Sequence, residues 1–214
     1  MRLVVLGATG GIGRHVVTQA LAAGHEVIAL VRDPSAVPGS ADTLDVRKAD
    51  VLDQGVLTAE LAEINPDAVI SALGVRPPVK GPVSLLTDAM GALIPAMRST
   101  GIRRLLVVSA AGAYDEEADG PVTRYVAKPL LKRLLRYGFD DTRAADALVE
   151  ATDLDWTIVR PPRLLDKPLT TRYRVGGDHG LKKALNIHRA DVAHYLLRAL
   201  GERGTHRRAR VIAI

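Results

Sequence analysis

Apolar residues gather in short, continuous runs of strand length: LVVL at 3–6, EVIALV at 26–31, DAVISAL at 67–73, RLLVVSA at 104–110 and WTIVR at 156–160. Runs without polar alternation predict strands covered on both faces, the habit of a parallel sheet. The segments between them carry a helical period. In GRHVVTQALAAG, Val16, Val17, Ala20 and Leu21 form one apolar stripe, and Gly24 suits a C-terminal stop. Strand and helix alternate, which predicts an α/β, doubly wound Rossmann-type domain with a mainly parallel sheet. No repeat, low-complexity tract or linker interrupts the pattern, and 214 residues fit one domain spanning 1–214. Between about 161 and 188 the sequence is charged, contains glycine and shows no clear period, so it is expected to form a small substrate-covering segment.

Sites in such a sheet lie at the carboxyl ends of the strands. The first of these ends is GATGGIG, residues 7–13, which follows a strand and opens a helix. Gly7 permits a tight turn, Gly10 lets the backbone approach a pyrophosphate, and Gly13 lets the helix pack closely on the strand. The helix-start amides and dipole would carry the phosphate charge. At the end of the second strand stands Arg32, where an NAD binder usually has Asp or Glu; a guanidinium there matches a 2′-phosphate and favours NADP(H). Asp33 either accepts from an NAD ribose or serves the turn before Pro34. Asp50 and Val51 close the third strand segment, where Asp50 accepts from adenine or caps a turn. Leu73 and Gly74 end the fourth strand beside the nucleotide path, and Arg76 reaches a phosphate or faces water.

The catalytic pattern is less complete. A Tyr-x-x-x-Lys pair, in which an ammonium lowers a phenol's pKa for proton exchange, is missing. Tyr125 and Lys128 are one residue short, though three residues on a helix still share a face; Tyr114 and Tyr137 have no lysine four residues on. Ser109, ending the fifth strand, is the candidate catalytic residue, donating to the nicotinamide amide or the acceptor, or else satisfying a strand-end backbone group. Arg160 reads as a structural arginine binding carbonyls, or else as positive charge toward a flavin phosphate or a propionate-bearing acceptor. Arg163 and Leu164, beyond the rigid Pro161-Pro162 pair, read as substrate-binding. Asp191 is expected to stabilise a helix start, Trp156 to be core, and Asp141 and Asp146 to be solvated or buttressing. His188 and His194, six apart without neighbouring ligands, argue against a metal.

Composition narrows the classes. The absence of cysteine excludes disulfides and thiolate chemistry. Aromatics at 3% leave no stacking platform for single-stranded nucleic acid, and no apolar run approaches a membrane span. A cytoplasmic monomer or homodimer with a small-molecule partner is expected. The net charge of +5, with a basic GERGTHRRAR near the end, reads as a solvated tail or as a field gathering an anionic ligand.

GATGGIG, VRDP at Arg32, ADV at 49–51, ALGVR at 72–76, VVSA at 107–110, LDWTIVRPPRLLDKPLT at 154–170 and IHRADVAHYLL at 187–197 run nearly end to end. On these segments the chain resembles the atypical short-chain dehydrogenase/reductases, in the NmrA-like NAD(P)H-binding branch. Within it the chain looks most like the NADPH-dependent flavin reductases, also called biliverdin reductase B. The resemblance implies that Gly7, Thr9, Gly10, Gly11, Ile12 and Gly13 meet the pyrophosphate and its neighbours, with Thr9 and Arg32 near the 2′-phosphate. It implies Asp50 and Val51 at the adenine, Leu73, Gly74 and Arg76 toward the nicotinamide ribose, and Ser109, Pro161 and Pro162 at the nicotinamide. Arg163 replaces a histidine of that group. The expected activity is NADPH-dependent hydride transfer to a flavin, quinone or related conjugated acceptor, a flavin serving as substrate rather than prosthetic group. A non-catalytic NADP-binding sensor or assembly protein is the alternative; a sugar-nucleotide epimerase is weaker, since that chemistry needs the tyrosine.

Overall fold

The computed structural model describes residues 1–37, 43–75, 79, 81–115, 133–177 and 180–214. The continuous apolar runs become buried strands: β1 (Arg2–Leu6), β2 (Glu26–Val31), β4 (Ala68–Ser71), β5 (Arg104–Val108) and β6 (Asp155–Arg160). With β3 (Leu44–Lys48) and β10 (Arg208–Ala213) they pair in parallel, and the short β8 (Arg174–Val175) adds antiparallel to β10. The sheet order is β3-β2-β1-β4-β5-β6-β10-β8, so the direction of winding reverses between β1 and β4. That switch point is where ligands lodge in open α/β sheets.

Both faces are covered. On one, α2 (Gln54–Ile64), α3 (Leu85–Ser99) and α4 (Arg136–Glu150) pack Leu57, Leu61, Leu93, Met97 and Val149 against Val4, Ile28, Val69 and Leu105. On the other, α1 (Gly13–Ala22) and α5 (Arg189–Ala199) pack Val16, Ala20, Val192 and Leu196 against Leu3, Val5, Ala29 and Ile70. The predicted stripe of α1 faces inward at Val16, Val17 and Ala20, and Gly24 ends the helix at φ +77°. Trp156 is core, as expected.

Two expectations change. The basic closing stretch is not a free tail: its residues lead into β10, which pairs with β6 from Arg208↔Thr157 to Val211↔Arg160. Arginines at 208 and 210 broke the apolar run by which the other strands were recognised. Asp50 and Val51 do not close a strand either; β3 stops at Lys48 and both sit in the following turn. The segment after β6 contributes β7 (Arg163–Leu165), paired in parallel with β9 (Asn186–His188) in a separate two-stranded sheet.

Buried Arg104 ties the C-terminal part to the sheet. It donates to the carbonyls of Ala199 (2.6 Å) and Leu200 (3.4 Å) at the end of α5, to Asp155 O (2.6 Å), and to the hydroxyls of Thr157 (2.9 Å) and Thr205 (3.2 Å). Burial pulls its pKa down to about 10, which leaves it cationic at neutral pH, where it complements the negative end of α5. Removing it strands several buried acceptors. Arg104→Met is therefore expected to lower unfolding free energy by about 3 kcal/mol, read as a lower urea midpoint with unchanged slope. An unchanged midpoint would contradict this tie.

Candidate functional site

The glycine loop is shaped by backbone crowding. A Cβ on Gly7 would stand 2.6 Å from Ala72 O, and one on Gly13 would stand 2.0 Å from Gly7 O. Gly7 also holds φ +76°, and its carbonyl accepts from Gly10 N at 2.9 Å. The loop is thus pressed against the end of β4, and α1 starts directly from it. Ile12, at the N-cap of α1, offers the helix no side-chain acceptor; Arg14 N and His15 N donate to Gly10 O and Ile12 O at 3.1 and 2.9 Å, which leaves the amides of Gly11, Ile12 and Gly13 to face an anion.

Thr9, Gly10, Gly11 and Ile12 line one end of a cleft of ≈ 1020 Å³, large for a ligand site. Leu73 and Gly74 from the end of β4, Ser109 from the end of β5, and Pro161, Pro162, Arg163 and Leu164 after β6 share its wall. Leu134, Leu135, Tyr137, Gly138 and Phe139 at the start of α4 and Leu181 and Leu185 of the segment before β9 make that wall largely apolar. Eleven of the expected site residues therefore meet in one space: four of the glycine loop, two after β4, Ser109, and the four from Pro161 to Leu164. Gly7 and Gly13 stand behind the loop as its packing contacts. Arg32, Asp50 and Val51 lie off this cleft, past the ends of β2 and β3; Arg32 is exposed, while Val51 is core. Arg76, Tyr125 and Lys128 fall outside the described residues.

Local bonding decides some of the open alternatives. Asp33 accepts from the backbone and hydroxyl of Ser35 at 3.0 and 2.7 Å, bonds that hold its pKa low, so it is engaged in its own turn. Asp50 accepts from Leu52 N at 3.0 Å, a turn contact.

Three polar groups were underestimated from sequence. Asp146, on α4, is 2% exposed, and its Oδ2 accepts from the Ser109 hydroxyl (2.7 Å) and the Tyr114 hydroxyl (2.7 Å), with Arg160 at 3.4 Å. Burial pushes the Asp146 carboxyl pKa up, opposed by these donors; burial and the neighbouring Asp146 charge raise that of Tyr114. Arg160 binds carboxylates rather than carbonyls: it reaches Glu150 at 3.0 Å and lies 3.6 Å over the Tyr114 ring. Asp141 is buried too, accepting from Leu86 N and Thr87 N at the start of α3. Of the two readings left open for these acids, solvated or buttressing, the second holds; nothing local reveals which strand end or helix start each one faces.

At the cleft mouth, Arg189 runs across Gly11, its Cδ and Nε each 2.7 Å from where a Cβ would be. Asp166 binds Arg189 at 2.8 Å and Arg14 at 3.6 Å, and all three line the cleft beside the glycine loop. His15 nearby has its pKa lowered, by burial first and by Arg14 second. Asp191 sits in the first turn of α5, but its carboxylate is used by the covering segment: it accepts from Thr170 N, Thr171 N and Thr170 Oγ1 at 2.8–2.9 Å. His188 approaches Asp191 at 3.1 Å, while His194 shares a 2.7 Å hydrogen bond with Tyr173.

The family model for NAD(P)H-binding proteins matches residues 7–203. The chain belongs to that NAD(P)H-binding family. NAD(P)H is accordingly its cofactor, and the atypical short-chain dehydrogenase/reductase branch expected from its motifs agrees with this membership. Bacillus subtilis YwnB is 30% identical over 94% of this chain and 92% of its own length. A Streptomyces 3-diazoavenalumate denitrifying reductase is 37% identical over 83% of this chain, which spans 60% of that relative. Among solved structures, ChuY of Escherichia coli O157:H7, an anaerobilin reductase, superposes with a TM-score of 0.81 at 22% identity, covering 100% of this chain and 97% of its own; this likeness speaks for the fold. No helix among the described residues is long and apolar enough to cross a membrane.

With a pyrophosphate held at the glycine loop, the Asp166 carboxylate would oppose it while engaging the neighbouring Arg189 and Arg14. Asp166→Asn is expected to tighten NADP⁺ binding about two- to fivefold at low ionic strength, with the gain fading at about 0.5 M salt. Isothermal titration at both salt levels checks it; equal or weaker binding by the variant would contradict this placement.

Proposed function

We propose that the protein is an NADPH-dependent oxidoreductase that reduces a flavin, quinone or related planar conjugated acceptor. The observation that carries this reading is the junction inside one cleft of an amide-lined phosphate cradle with a long apolar wall. When bound, the cofactor supplies the hydride. Gly11, Ile12 and Gly13 hold its pyrophosphate by backbone amides, Gly10 letting the chain approach it, and Arg32, exposed after β2, takes the 2′-phosphate. Leu73, Gly74, Val51 and Asp50 flank the path of the two nucleosides. Pro161 and Pro162 fix the backbone beside Ser109 and present a flat edge to the nicotinamide ring, while Arg163 and Leu164 meet the acceptor.

A conjugated acceptor suits a wall built from Leu134, Leu135, Tyr137, Phe139 and Leu185; Leu134 and Leu185 stand exposed, and a flat ring laid on this wall would cover apolar surface and be held by dispersion. It also suits a chain without the Tyr-x-x-x-Lys pair, because such an acceptor delocalises the incoming charge and draws its proton from solvent. The segment from 161 to 188, tied down by Asp191, covers the acceptor end. The 3-diazoavenalumate denitrifying reductase and the anaerobilin reductase among the similar proteins support reductase chemistry on this frame.

NADPH oxidation followed at 340 nm with FMN, riboflavin and a quinone series tests the reading. Turnover of at least one acceptor is expected; tight NADPH binding without turnover of any would favour the non-catalytic sensor instead. For the cofactor, Arg32→Glu is expected to weaken NADPH by about 100-fold or more, from loss of a charge-assisted pair and gain of a repulsive one, with NADH little changed. Equal losses for the two would remove the phosphate role of Arg32.

A further inference from the structure

Ser109 has one hydroxyl proton, and the structure shows where it goes. Its backbone N–H donates to Val159 O at 2.8 Å, fixing the residue at the end of β5, and its Oγ–H donates to Asp146 Oδ2 at 2.7 Å. That same oxygen accepts from Tyr114 at 2.7 Å and has Arg160 at 3.4 Å, so it acts purely as an acceptor. Arg160 is held in turn by Glu150 and by the face of the Tyr114 ring, and Arg143 of α4 fixes the neighbouring turn by donating to Ala113 O at 3.0 Å. Ser109 nevertheless lines the cleft. What it shows there is an oxygen whose proton is already committed to the protein interior.

We propose that Asp146 takes the Ser109 proton and thereby makes Ser109 a hydrogen-bond acceptor toward the cleft, selecting a ligand that presents an N–H or O–H at that point. Sequence alone left Ser109 as a donor to the ligand or to a strand-end backbone group; the proposal gives it the opposite sense toward the ligand. In a doubly wound sheet the two halves of a dinucleotide extend to either side of the switch point, and Ser109 lies on the β4-β5 side, opposite Arg32. The group offered to it is the amide N–H of the nicotinamide carboxamide, a step resting on the reading above that the nicotinamide end lies against Ser109. Asp146 is a positioning residue, acting through Ser109 without touching the ligand.

The test compares equilibrium binding of NADP⁺ with that of its 3-acetylpyridine analogue, which keeps the carbonyl and the phosphates but lacks the amide N–H. Their ratio cancels everything the two share. The wild type is expected to prefer NADP⁺ about five- to tenfold, the value of one hydrogen bond. Ser109→Ala is expected to lose this preference. Asp146→Asn is expected to keep it, because the amide oxygen accepts the same protons; Asp146→Ala frees the hydroxyl to rotate into the cleft as a donor and is expected to abolish it.

Asp146→Ala leaves buried donors unpaired and is prone to misfold. The combined Asp146→Leu, Tyr114→Phe, Arg160→Met variant replaces the whole cluster with apolar side chains of similar size and gives the same readout. Preference retained in either Asp146-less protein, or lost in Asp146→Asn, overturns the proposal. Equal binding of the two dinucleotides by the wild type overturns its assignment of the ligand group; acceptor turnover measured on the same sample then tells whether the reductase reading survives.

Discussion

The close contact of three backbone segments underlies this structure. Gly7, Gly13 and Ala72 approach within distances that leave no room for a Cβ, and this lets α1 begin at the very end of β1 while β4 passes alongside. The sheet's stability does not need this approach as such. Its value lies in leaving a row of N–H groups unclaimed by side chains, at the place where sheet order reverses.

The polar cluster behind Ser109 solves a different problem. Asp146, Tyr114 and Arg160 come from a helix, a loop and a strand end, and each satisfies groups that burial would otherwise leave costly. Together they brace the wall on which the ends of β5 and β6 stand, so Ser109 and the two prolines keep a fixed relation. A rigid wall is what an apolar ring needs if it is to be held at one distance and not merely retained.

Much of this was legible in the chain. The strands announced themselves because each is buried on both faces and therefore apolar without interruption; β2 falls on the expected residues, 26–31. GATGGIG was readable because backbone crowding admits only glycine at Gly7 and Gly13. β10 escaped notice because Arg208 is exposed and Ala209 and Arg210 only half-covered, so the apolar signal shrinks to Val211, Ile212 and Ala213. For Asp141 and Asp146 a buttressing role was one of two open readings, but what they buttress was not legible: Leu86 and Thr87 are 54–55 residues from the one, Ser109 and Tyr114 32–37 from the other, and no local period encodes such meetings. The role of Asp191 was half legible, its place in the first turn of a helix being predictable and its bonds to Thr170 and Thr171 not.

That last pair of contacts places two ends of the cleft on one support. α5 begins with Arg189, which lies across the glycine loop, and two residues later Asp191 grips Thr170 and Thr171 of the segment after β6, which on the proposed reading covers the acceptor. A rigid helix cannot move one without the other. Whatever free energy a ligand at the phosphate end spends on shifting α5 is felt at the opposite end, and by thermodynamic linkage the reverse influence has the same size. On the proposed reading, cofactor and acceptor would each feel the other's binding through a single turn of helix.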